Sequence, residues 1–233
     1  TISDTFVPDK FEITENNAYY VSKAPAVEDD AQTYYASIKR IKCKLPAEIN
    51  GNNNIDAIFA AIADKAFPQS HSNFQGGIHE FLKTPVFNAS GVDYKPIDME
   101  PTITQKYGNV QCVKIYPTFS SRGYLVMAIS LTSYDSGKKH EKIYYVNYNR
   151  RGQSVLSFNT IFASNSEDAL LTLVNNKIES LADDEGMPLH KATRLSANVY
   201  ARKRGIFFVY QAGEIADESE GMIEIFLSFK ALQ

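Results

Sequence analysis

An α+β fold is predicted, with antiparallel sheets packed against a few helices, and three observations predict it. One stretch alternates apolar and basic residues at period two. Two well-separated stretches repeat apolar residues at helical spacing. Several strand-like segments after Gly108 follow one another through polar turns. The resulting order is strand and helix in the first half, then meander, helix and more strands in the second. That order belongs to α+β proteins rather than to alternating βαβ units.

The first thirty or so residues carry polar clusters (Glu15-Asn16-Asn17 and Glu28-Asp29-Asp30) among broken apolar pairs, and are read as an edge strand or a loosely attached arm. From Tyr34 to Leu45, Ile41, Cys43 and Leu45 interleave with Lys42 and Lys44, the signature of a half-buried strand. The turn-rich run Ile49-Asn50-Gly51-Asn52-Asn53-Asn54 follows, with Asn54 placed to cap a helix. Ile55, Ile58, Phe59, Ile62 and Ala66 give that helix one apolar face, and Pro68 ends it. Phe74, Ile78, Phe81 and Leu82 suggest a second short helix, interrupted by Gly76-Gly77. Asn88 to Gly108 is rich in proline and glycine and reads as a connection.

In the second half, Val110–Tyr116, Tyr124–Ser133, Lys142–Asn149 and Gln153–Phe158 are read as a meander. A polar loop, Tyr134 to Glu141, joins the second strand to the third. Ser164 and Glu167 form a possible capping box. The helix they open carries Leu170, Leu171, Val174, Ile178 and Leu181 on its inner side, with Gly186 and Pro188 beyond its end. Leu195–Arg202, Gly205–Tyr210 and Met222–Phe229 read as three further strands, and no internal repeat is present.

Composition limits the function classes. Of 233 residues 44% are apolar, enough for a sizeable core, and the net charge is −3. Such mild acidity offers no footprint for a phosphate backbone, so no nucleic-acid partner is expected. No apolar run reaches the ~18 residues that a helical membrane span needs. The sequence begins at Thr1 rather than methionine. That start suits a protein whose export signal, and with it a possible lipid anchor, has been removed. Cys43 and Cys112 both lie in strand-like stretches; a bridge in an oxidising compartment and two small buried thiols are both open.

Three stretches of the second half resemble a known family. Tyr134-Asp135-Ser136-Gly137-Lys138-Lys139-His140 stands where the family has a tyrosine and a Gly-Gly-Ala-His loop. Val146-Asn147-Tyr148-Asn149, Gly152 and Val155 to Phe162 follow its strand, glycine turn and helix entry. Phe207 to Ala216, continuing to Glu220-Gly221, is similar to its late strand and Glu-Ile-Ala turn. The family is the extracytoplasmic domain of unknown function that ends the lysozyme-responsive anti-sigma factors of the RsiV type. It also accompanies some peptidoglycan deacetylases and stands alone in Bacteroidetes lipoproteins. The resemblance implies a division into residues 1–105, similar to the companion domain that usually precedes it, and residues 106–233, the RsiV-like domain. It also implies a bacterial protein of the periplasm or cell surface. Two positions depart from the pattern: Lys138 replaces a loop glycine, and Gly213 replaces a tyrosine.

Chemistry is sparse. His71, His79, His140 and His190 include no pair four residues apart on a helix, so no metal and no cofactor is expected. Nucleophile elbows and phosphate-binding glycine loops are missing. His140 and Tyr134 belong to the family loop, Glu214 to the Glu-Ile-Ala turn, and Tyr144 to a tyrosine-rich strand. On that strand Tyr144 and Tyr148 share one face and Tyr145 takes the other. These four, His140, Tyr134, Tyr144 and Glu214, are the candidate ligand-binding residues; no catalytic residue is assigned. The expectation is a non-catalytic cell-envelope binding module for a protein or wall-derived ligand. Its rivals are a glycan-acting hydrolase, in which His140 meets a distant carboxylate such as Glu214, an accessory domain of a peptidoglycan-modifying enzyme, and a structural envelope component.

Overall fold

The computed structural model describes residues 9–23, 34–49, 55–70, 73–85, 93–101, 108–135, 138–163 and 165–232. β1 (Lys10–Lys23) and β2 (Tyr34–Glu48) form a long antiparallel hairpin. Helices α1 (Asp56–Ala66) and α2 (Phe74–Lys83) follow, and then β3 (Lys95–Ile97). The meander comprises β4 (Gly108–Ser120), β5 (Tyr124–Asp135), β6 (Lys138–Asn149) and β7 (Ser154–Leu156). The short α3 (Phe158–Ile161) leads to α4 (Glu167–Glu185), and β8 (Val199–Arg202), β9 (Gly205–Tyr210) and β10 (Ile223–Ser228) close the chain.

Seven strands make one sheet in the order β3-β1-β2-β4-β5-β6-β7, and three make a second in the order β10-β9-β8. Four layers result. α1 and α2 cover one face of the large sheet, burying Ile58 and Ile62 against Ile41, Cys43, Ile115 and Met127. The small sheet covers part of the other face through Val126, Tyr200 and Val209. α4 closes the stack, its Leu170, Val174 and Ile178 set against Phe208 and Ile225. Each sheet therefore has two apolar faces, and alternation within β9 sends Phe208 toward α4 and Val209 toward the large sheet.

The α+β class, both long amphipathic helices and the alternation of Ile41, Cys43 and Leu45 against exposed Lys42 and Lys44 are as the sequence indicates. Other features differ. β2 and β4 pair in parallel, Ala36 with Gly108 through Cys43 with Ile115. The two helices between them provide the long crossover that parallel neighbours need. Strands from both sides of residue 105, where the family resemblance divides the chain, thus share one sheet. β1 is the outermost strand only over part of its length, because β3 pairs with Tyr19–Val21.

The described residues of the polar stretch Tyr134 to Glu141 are ladder rather than loop: Ser133 pairs with His140 and Asp135 with Lys138. Polarity misleads here because Lys138 to Lys142 are exposed, so backbone pairing holds the strand without an apolar face to signal it. Phe158 starts α3 instead of ending a strand. α2 runs straight through Gly76-Gly77. Gly77 is needed there, since a Cβ would lie 2.6 Å from the Phe67 ring. Asn54 and Ser164, read as helix caps, lie outside the described residues; Ser166 takes the N-cap position of α4, and Gly186 ends that helix in a left-handed conformation (φ 65°).

Gly205 opens β9 after the Arg202-Lys203-Arg204 hairpin tip, and a Cβ on it would sit 2.1 Å from the Leu227 carbonyl oxygen. Backbone atoms cannot swing aside as a flexible side chain can. Gly205→Ala is therefore expected to lower unfolding free energy by about 2 kcal/mol, measured by urea denaturation; an unchanged midpoint would refute the close approach.

Candidate functional site

The large sheet meets the segment that carries the small sheet along β6. Pairing with β7 covers only Asn147 to Asn149 of its outer edge. Beyond that point side-chain amides take the place of a strand. Asn198 donates Nδ2 to the Ile143 carbonyl (2.7 Å), and its Oδ1 accepts from the Tyr145 amide (3.0 Å). Gln211 donates Nε2 to the same Ile143 carbonyl (2.7 Å), and its Oε1 accepts from the Ile143 amide (3.2 Å). Asn147, buried, donates to the Val199 carbonyl (2.7 Å) and accepts from the Ala201 amide (3.1 Å). A primary amide carries one donor face and one acceptor face, as a peptide unit does, so each can satisfy a sheet edge.

At the uncovered end of β6 lies an open cavity of about 580 Å³, lined by His140, Glu141, Ile143, Gln211, Glu218 and Met222 among others. His140 Nδ1 stands 3.6 Å from Glu218 Oε1, with the two side chains 44% and 60% exposed. Lys138 Nζ lies 3.3 Å from the other oxygen of Glu218. On the opposite face Glu141 accepts from Lys139 (2.8 Å), Ser130 (3.1 Å) and Thr132 (3.4 Å). The Lys139 hydrogen bond is the main reason the Glu141 carboxyl is held below its usual range. The same bond raises the Lys139 ammonium above its own.

Of the four candidates, only His140 lines this cavity. Tyr134 is exposed and pairs with Lys139 in the β5–β6 ladder. Tyr144 packs on the α1 side of the sheet, with Lys65 Nζ 5.8 Å from its ring centre. Glu214 Oε2 accepts from the Gln211 amide (2.7 Å), and Arg194 lies 3.6 Å from its other oxygen. It therefore holds the turn that aims Gln211 at β6. Glu218, Gln211 and Asn198 escaped sequence reading; their partners stand 53 to 80 residues away, and no local pattern marks a side chain that imitates a strand.

A second polar cluster lies between the sheets. Tyr145, Tyr200 and Phe207 stack in succession, with centroids 4.2 and 4.8 Å apart, and Phe226 continues the row. Tyr145 donates to Glu224 (3.3 Å), and the Arg202 guanidinium lies 5.3 Å from the Tyr200 ring centre. Burial, with Glu224 adding to it, pushes Tyr200 up to about 12 and Tyr145 higher still. These phenols stay neutral at physiological pH and serve as packed hydrogen-bond donors.

Among the described residues no three His, Cys, Asp or Glu side chains gather as metal ligands. His71 lies outside the described residues; His79 and His190 are exposed. Both cysteines are free thiols. Cys43 faces α1 and Cys112 the opposite side of the sheet, so the two cannot bridge. Burial raises the Cys43 thiol to about 11.

The fold is shared with proteins of the DUF3298 family, the family of the RsiV C-terminal domain. A member from Bacteroides fragilis superposes with a TM-score of 0.65 at 16% identity, covering 96% of this chain and 92% of that one. A second, from Pseudomonas aeruginosa, gives 0.60 at 14% identity, covering 96% and 93%. The sequence resemblance is thus borne out at the level of the fold. Neither a family model nor a curated protein matches the sequence.

Proposed function

We propose that the chain belongs to this family and acts as a non-catalytic, exported binding module of the cell envelope, recognising a protein or a wall-derived ligand. One observation carries this reading: the open cavity of about 580 Å³ beside the uncovered end of β6, with His140 and Glu218 on its rim. Solvated charges on a rim, here Lys138 and Glu218, steer and orient a partner. The family likeness supports an envelope setting, while the ligand of any relative does not follow from a fold.

The test is calorimetric titration of the chain with several lysozymes and with soluble peptidoglycan fragments. Binding to one class is expected, weakened about tenfold in His140→Ala or Glu218→Ala, the scale of one lost charge-assisted contact. Uniform failure to bind would leave the fold assignment alone standing. The hydrolase reading draws on the 3.6 Å His140–Glu218 approach instead; release of reducing ends from wall glycan, abolished in His140→Ala, would establish it.

A further inference from the structure

We propose that the uncovered end of β6 takes up an extended peptide as an additional strand, and that this peptide alternates acidic with apolar side chains. The inference rests on the binding reading above and names the class of ligand. The ladder between β5 and β6 runs in register from Tyr124–Asn149 to Asp135–Lys138. Ile143 and Tyr145 direct backbone groups away from β5, since Gln211 and Asn198 bond them. Alternation of two then points the amides and carbonyls of Glu141 and Lys139 outward as well. Among the described residues, nothing bonds those groups.

The cavity shows that the edge is open. It is lined by Leu131, His140 and Lys142 from the helix-facing side of the sheet and by Cys112, Thr132 and Glu141 from the other. One cavity can touch both faces only by passing around the rim. Asn198 and Gln211 already imitate a neighbouring strand as far as Ile143, so an incoming peptide would continue their pattern.

Charge selects the occupant. Lys138, Lys139 and Lys142 against Glu141 and the facing Glu218 leave a formal charge of 3 − 2 = +1 here with His140 neutral. Edge lysines guard against pairing with a like strand. A second copy of this edge would set lysine against lysine, which is unfavourable. Acidic side chains suit the face carrying Lys138, His140 and Lys142, and apolar ones the face near Ile143, Ala212 and Met222.

The probe is an acetylated, amidated peptide alternating glutamate and valine over about eight residues, the length of an ordinary strand. Binding is expected to slow amide exchange at Lys139 and Glu141. Lys139→Pro removes an outward donor and is expected to cut affinity about tenfold or more, with Lys139→Ala much milder. Peptides N-methylated on all glutamates or on all valines leave the protein untouched, and only one of the two is expected to lose binding. Equal loss in Lys139→Ala and Lys139→Pro, or equal tolerance of both methylation patterns, overturns strand addition. So does binding without slowed exchange at the two amides. If the peptide fails while a lysozyme or wall fragment binds, the strand inference falls and the binding reading stands; if nothing binds, both fall.

Discussion

Asp9→Asn is expected to lower the free energy of unfolding by about 3–5 kcal/mol, the range for breaking a buried ion pair from one side. Asp9 and Arg150 have side chains with no exposed surface. Both guanidinium Nη atoms donate to the two carboxylate oxygens. Ser120 Oγ accepts from Arg150 (2.9 Å) and donates to Asp9 (3.1 Å), and the Arg150 amide bonds the Gly123 carbonyl (2.9 Å). The knot ties the segment before β1 to the β4–β5 turn and to the turn between β6 and β7.

Arginine keeps its charge at any accessible pH, so removing Asp9 strands a cation in a site closed to solvent. Arg150→Met should cost as much by leaving the carboxylate. The double replacement Asp9→Leu with Arg150→Met should recover part of the loss, because apolar pairs fill such sites without the desolvation penalty. Urea denaturation of the four proteins gives the cycle. A loss below about 1 kcal/mol in both single variants would mean that the pair behaves as a solvated surface bridge.

That knot also marks where the sequence ceases to be legible. Arg150 reads as one member of an Asn-Arg-Arg-Gly turn, and the turn is real: Asn149 Oδ1 accepts from the Arg151 and Gly152 amides (3.0 and 3.2 Å). Nothing in the turn chemistry points to a carboxylate 141 residues earlier. Periodicity reports which face of an element is apolar, and so the helices, β2 and the opposed faces of Tyr144 and Tyr145 are all readable. It does not report which elements meet. The parallel β2–β4 pairing and the packing of the small sheet on the large one both depend on long-range partners. For the same reason His140 was legible as a polar residue at a conspicuous place, while its neighbour Glu218 was not.

Lys39 illustrates the opposite failure, an in-register residue whose type argues against its place. Alternation along β2 puts it on the helix-facing side with Ile41 and Cys43, and it is 5% exposed. Its ammonium donates to the Phe81 carbonyl (2.8 Å) and sits 4.3 Å from the centre of the Phe81 ring. Tyr20 donates to the neighbouring Leu82 carbonyl. Two sheet residues thereby bond the carbonyls at the C-terminal end of α2, where a positive charge also complements the helix dipole. Burial still dominates and lowers Lys39 from 10.5 to about 8. Below that value both folded and unfolded chains hold the proton, and the folded state bears the full cost of the buried charge.

Between about pH 8 and pH 10 the unfolded chain binds more protons at this site, so unfolding free energy rises with pH. The shift of 10.5 − 8 = 2.5 corresponds to about 3 kcal/mol at completion. Cys43, raised from 9.0 to about 11, acts with the opposite sign over an overlapping window. The tyrosines near 12 do so above it. Comparison with Lys39→Met cancels those contributions. From about pH 7.5 to pH 9.5 the stability of the wild type should gain about 2 kcal/mol on that variant. Parallel stability curves for the two proteins would show that Lys39 remains solvated and that its amine does not dock α2.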